Sequence, residues 1–61
     1  MTLRELLSHF HNCNLWCDIC TPAYRKCGCL GNILRENPEE LLKMEVASWK
    51  VNEDNILEVN L

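Results

Sequence analysis

Four of the five cysteines in this 61-residue chain fall within thirteen residues, as Cys17-Asp18-Ile19-Cys20 and Cys27-Gly28-Cys29. Thiolates are soft metal ligands. A C-x2-C pair bent into a turn can set two sulfurs about 2.3 Å from one zinc ion, and a second pair returning beside it can close the tetrahedron. The spacing therefore makes Cys17, Cys20, Cys27 and Cys29 the expected ligands of a structural zinc. Gly28 lowers the steric cost where the last two sulfurs converge. Four thiolates leave no open coordination position, so such a site activates no water, and its binding free energy of roughly 10–16 kcal/mol acts as folding free energy.

Other ligand sets are open. Cys13 stands four residues before Cys17, and His9 or His11 could replace one thiol. The competing reading takes the thiols as small apolar side chains of a hairpin. In a regular strand Cys17 and Cys20 point to opposite faces, and only a local turn at Asp18-Ile19 would bring both to one ion. Dithiol redox chemistry at Cys17 and Cys20 wants a βαβ context that the surrounding pattern lacks.

The elements that must position these thiols read as a single α+β domain spanning 1–61. Thr2 followed by Glu5 is a capping box, and Leu3, Leu6, Leu7 and Phe10 repeat at the spacing of one buried helical face, which predicts a helix over 2–11. Leu15 to Ile19 has the pattern of a short strand with Leu15, Cys17 and Ile19 on one face. A turn over 21–26 and a returning segment over 27–31 complete a cysteine-rich hairpin, the predicted zinc loop. Asn37-Pro38-Glu39-Glu40 signals a second, short helix over 38–44. Residues 46–51 and 56–61 flank the turn 52–55 as a C-terminal β-hairpin, with Ala47, Trp49 and Val51 on one face and Leu57, Val59 and Leu61 on another, packed on the first helix. Trp16 and Trp49 are expected in the core. Repeats and low-complexity segments are absent.

Composition bounds the function. The chain is 48% hydrophobic with a net charge of −3, an ordinary globular profile, but five of its hydrophobic residues are cysteines, and a chain this short has a thin core. A zinc staple would answer that deficit. The N-terminal stretch lacks the apolar run of a secretory signal, and no stretch is long enough to span a membrane, which predicts a cytoplasmic protein with reduced thiols. Residues 1–35 carry four basic and two acidic side chains, whereas 36–61 carry two basic and seven acidic ones. Six Lys and Arg in all disfavour general nucleic-acid binding, with Tyr24-Arg25-Lys26 as the local exception. No nucleophile, base and oxyanion set can be assembled, so an enzyme is not expected and no small-molecule substrate is assigned.

Four stretches in order, Met1-Thr2-Leu3-x-Glu5-Leu6-Leu7, a strand pair ending Cys29-Leu30-Gly31, Glu40-Leu41-Leu42-x-Met44-Glu45-Val46, and Asn55-Ile56-Leu57-Glu58-Val59, resemble small proteins encoded by phages and prophages of Gram-positive bacteria. The cysteine cluster departs from their general pattern. Among such proteins are anti-CRISPR inhibitors, some of them metal-containing, which block type II effector nucleases by binding the protein or its nucleic-acid channel. The resemblance implies an inhibitor that acts in the cytoplasm of a bacterial host cell. The residues expected to meet the partner are Tyr24, Arg25 and Lys26 of the loop and Glu39, Glu40 and Glu45 of the acidic half. The alternatives are a zinc-ribbon-like nucleic-acid adaptor using the basic loop and a structural protein that self-associates through the edge strand 56–61.

Overall fold

The capping box forms as its spacing requires. In the computed structural model, which describes residues 1–61, the Thr2 hydroxyl accepts the Glu5 N–H and the Glu5 carboxylate accepts the Thr2 N–H at 2.9 Å. Helix α1 then runs Leu3–Leu7 and buries Leu3, Leu6 and Leu7 completely. It is shorter than the predicted 2–11. The Ser8 hydroxyl donates to the Glu5 carbonyl at 2.6 Å, and His9 and Phe10 turn tightly back onto Leu6 and Leu7, which ends the helix and swings Phe10 sideways. A helix of five residues cannot hold itself in water, so its three buried leucines, each contributing roughly 1.5–3 kcal/mol, hold it in place.

Strand β1 (Trp16–Cys20) and strand β2 (Arg25–Cys29) pair antiparallel, with Trp16 opposite Cys29 and Cys20 opposite Arg25. The turn between them is closed by Thr21, whose hydroxyl accepts the N–H groups of Ala23 and Tyr24. Helix α2 (Leu30–Glu36) follows β2 directly, where the sequence reading placed no helix. Its N-cap, Cys29, makes no side-chain capping bond, and Gly31 and Asn32 dilute the helical pattern to Leu30 and Ile33, its two buried residues. The one legible signal lies at its end: Asn37 adopts a left-handed conformation (φ 50°) before Pro38, a helix stop that coincides with the start signal of the next helix. Helix α3 is a single turn, Glu39–Leu42, that buries Leu41 and Leu42.

Strands β3 (Ser48–Val51) and β4 (Ile56–Asn60) form the predicted hairpin, each shorter than expected. The Asn52 side chain accepts the N–H groups of Asp54 and Ile56 and so fixes the turn, in which Asn55 takes a positive φ of 60°. The two hairpins become one sheet because β4 pairs parallel with β1, Trp16 opposite Ile56 through Cys20 opposite Asn60. The strand order is β2-β1-β4-β3. The edge strands are therefore β2 and β3, whereas the 56–61 segment named above as an edge lies in the interior of the sheet.

Eleven side chains close the core: Leu3, Leu6 and Leu7 from α1, Cys17 and Ile19 from β1, Leu30 and Ile33 from α2, Leu41 and Leu42 from α3, and Leu57 and Val59 from β4. No polar side chain is buried among them. Both tryptophans depart from expectation, Trp16 at 49% exposure and Trp49 at 46%. Alternation along β1 turns Trp16 to the face opposite Cys17. Trp49 is on the helix side but on an edge strand, where Phe10 meets it edge-on with ring centroids 6.0 Å apart.

Of the two glycines, Gly31 is the one pressed closely against another segment. Its N–H donates to the Cys13 carbonyl at 2.9 Å, and an added Cβ would stand 3.1 Å from the Cys13 Cβ and 3.3 Å from that carbonyl oxygen. Gly31→Ala should therefore destabilise the chain by about 1 kcal/mol net of the helix propensity gained. Gly28→Ala, whose Cβ would meet only the Ile33 Cγ1 at 3.8 Å, should stay within about 0.5 kcal/mol of the parent. Equal stability of the two variants in chemical denaturation would show that the Cys13 segment yields freely.

Candidate functional site

The antiparallel register sorts the cysteines before any metal is considered. Cys17 and Ile19 point to the helices, while Trp16, Asp18 and Cys20 point to the uncovered face of the sheet. Across the pair, Arg25, Cys27 and Cys29 share that uncovered face, and Lys26 and Gly28 share the helix side. The turn at Asp18-Ile19 that would bring Cys17 and Cys20 to one ion does not form, because both residues belong to a regular strand paired on each side. Three of the four predicted ligands thus lie on one face and Cys17 lies on the other.

Cys17 is fully buried and its Sγ–H donates to the Leu15 carbonyl at 3.6 Å. Burial pushes its thiol up to about 11, and the nearby Cys29 adds to the shift. It is a small apolar side chain of the core. The other three thiols do not converge either. On the uncovered face Cys20 stands opposite Arg25, and Cys27 opposite Asp18. The Arg25 guanidinium reaches diagonally to Asp18, its Nε donating to Oδ1 at 2.7 Å and its Nη2 to Oδ2, across the diagonal that would join Cys20 to Cys27. The Cys27 Sγ–H donates to the same carboxylate at 3.5 Å. Hydrogen bonds from Arg25 first, then from Cys27, hold the Asp18 carboxyl below its usual range. No group of three or more His, Cys, Asp or Glu side chains is arranged to hold a metal ion. The residues present do not fit the four-thiolate zinc that their spacing predicts. Of the other ligand candidates, Cys13 is exposed beside Gly31, and His9 and His11 are exposed beyond the end of α1.

The expected partner-binding residues separate in the same way. Tyr24 is exposed at the β1–β2 turn, but the cations beside it are engaged: Arg25 pairs with Asp18, and the Lys26 ammonium lies 2.6 Å from Glu36 of α2. Glu45 meets the Met1 amino group at 2.9 Å. Glu39 and Glu40, in the first turn of α3, are exposed and make no ion pair. The loop that looked basic in sequence is neutralised, and the acidic turn is not. What the sequence reading missed is that Trp16 belongs to the exposed surface. Its position one residue before the buried Cys17 was the available signal, because neighbours in a strand face opposite ways. No helix is long and apolar enough to cross a membrane. Compared with known proteins, the chain matches no family model, no curated protein and no solved structure.

Two measurements check this arrangement. In the native protein at pH 8, a thiol reagent such as Ellman's should label Cys13, Cys20, Cys27 and Cys29, and label Cys17 only after denaturation, with a chelator leaving the Tm unchanged. A native chain in which Cys13 alone reacts, and which loses stability with chelator, is the outcome that four zinc-bound thiolates require. With Arg25 and Lys26 already paired, retention on DNA or RNA should be absent even at low salt. Tight binding that weakens steeply with added salt would overturn that assignment.

Proposed function

We propose that this chain is a non-catalytic binding protein that acts stoichiometrically on a protein partner. The observation that carries the reading is that both tryptophans stand half exposed beside a core that closes without them. Tryptophan is among the side chains most enriched where interfaces concentrate their binding energy. Trp16 sits on the uncovered sheet face next to Cys29 and Ile56, flanked by the neutralised Asp18–Arg25 pair. That surface can be desolvated at less cost than one with free charges. Glu39 and Glu40 supply a separate negative surface suited to a basic partner. Glu45, engaged by the Met1 amino group, is left out of this surface.

The resemblance to small phage proteins supports one target class, the type II CRISPR effector nuclease, and supports it without help from any catalytic residue. Zinc has no part in the reading, since the thiols are distributed over both faces of the sheet.

The test adds the purified chain to a guide-loaded type II effector and follows cleavage of a DNA target. Inhibition should saturate near one chain per effector. Trp16→Ala should weaken it at least tenfold, and Glu39→Lys with Glu40→Lys should weaken it in a salt-dependent way. Full cleavage at a large excess of the chain, together with no complex by sedimentation, would remove the nuclease as target. Inhibition unaffected by these variants would remove the two surfaces.

A further inference from the structure

The two edges of the sheet are not equally protected. At the β2 edge Lys26 turns toward the helix side and is held by Glu36 of α2, an inward charge of the kind that discourages strand addition. At the β3 edge all four residues are exposed. On its helix side β3 presents Trp49 and Val51, 46% and 43% exposed, with no charge between them. Lys50 points to the other face, opposite Glu58 of β4.

The hydrogen-bond phase of β3 follows from its turn. The Asn52 N–H donates to the Ile56 carbonyl at 3.0 Å. Bonded and non-bonded pairs alternate along an antiparallel ladder, so Ser48 and Lys50 turn their backbone groups to Asn60 and Glu58 of β4. Trp49 and Val51 turn their N–H and C=O groups to the free edge. The same two residues thus carry both the apolar side chains and the unpaired backbone.

We propose that this edge pairs with the β3 strand of a second copy of the chain, antiparallel about a two-fold axis at Trp49, giving a continuous eight-stranded sheet. The charges choose this register. With Trp49 opposite Trp49 of the copy, the two residues exchange both backbone bonds, the Val51 N–H reaches the Ala47 carbonyl, and Lys50 falls opposite Ser48. A slip to the next symmetric register would set Lys50 directly opposite Lys50, a like-charge pair that destabilises a sheet. In the favoured register each Lys50 keeps its own Glu58 alongside. Phe10, already edge-on against Trp49, extends the apolar strip on the helix side. The closed two-fold pairing uses the unprotected edge twice and leaves the guarded β2 edge outward, so assembly stops at two chains.

A strand interface this short lies at the small end of specific contacts, so the dimer should be weak and populated only at high chain concentration. Sedimentation equilibrium up to about 1 mM, combined with amide exchange, tests it. Sedimentation should fit a monomer–dimer equilibrium, and exchange at Trp49 and Val51 should slow as concentration rises while that at Ser48 and Lys50 stays constant. Trp49→Lys, which places two ammonium groups opposite each other, should raise the Kd at least tenfold. Val51→Pro, which removes an edge-facing N–H while sparing the β4 ladder, should do the same. Continued protection of Cys17 from thiol reagents verifies that each variant is folded. A chain that stays monomeric to 1 mM, a dimer whose Trp49 and Val51 amides exchange freely, or a dimer that persists in both variants would overturn the proposal.

Discussion

The parallel pairing of β1 with β4 is the contact on which the rest of the molecule depends. It joins residues forty positions apart, Trp16 to Ile56 and Cys20 to Asn60, and turns two marginal hairpins into one sheet. A two-stranded hairpin has little independent stability in water, and four strands with one covered face have enough. The pairing also sets Cys17 and Ile19 beside Leu57 and Val59, four side chains that form the floor on which all three helices rest. It is extended by the Leu61 N–H, which donates to the Cys20 carbonyl at 2.9 Å. The entropy of closing so long a loop rises only slowly with its length, so a modest apolar floor is sufficient to offset it.

That same constraint decides the chemistry available to the cysteines. Once β1 is an interior strand held on both sides, it cannot bend at Asp18-Ile19, and its thiols must alternate between faces. The segment from 12 to 31 was short of aliphatic residues, which made a metal staple attractive. The fold supplies the deficit in another way: Cys17 packs as a small apolar residue, Leu30 and Ile33 arrive on a helix that continues from β2, and Leu15 packs against the core from before β1. Cys20, Cys27 and Cys29 are left on the open face, with the Asp18–Arg25 ion pair lying between Cys20 and Cys27.

Charge is redistributed by the same topology. Asp18 and Arg25 are neighbours only because the two strands of the first hairpin pair in this register, and Lys26 finds Glu36 only because α2 turns back along β2. A locally basic tripeptide is thereby made neutral, while the acidic turn of α3 stays unpaired. The exposed surface keeps both tryptophans and the unpaired Glu39 and Glu40, alongside Arg35, Lys43 and Lys50, which make no ion pair.

Local signals determined the α+β class, the capped start of α1, the C-terminal hairpin and the inward set of Cys17, Ile19, Leu57 and Val59, because each rests on spacing within a few residues. Helix α2 was hidden, since glycine and asparagine near its start carry no helical preference and burial of Leu30 and Ile33 against the sheet holds it. The tryptophans were misplaced because hydrophobicity says that a side chain favours burial, whereas strand phase and edge position say whether a place is available. The candidate site was legible as a list of thiols and charges. Which of them meet depended on strand register between distant segments, a long-range property fixed by the pairing of β1 with β4 and of β1 with β2, and no local spacing encodes it.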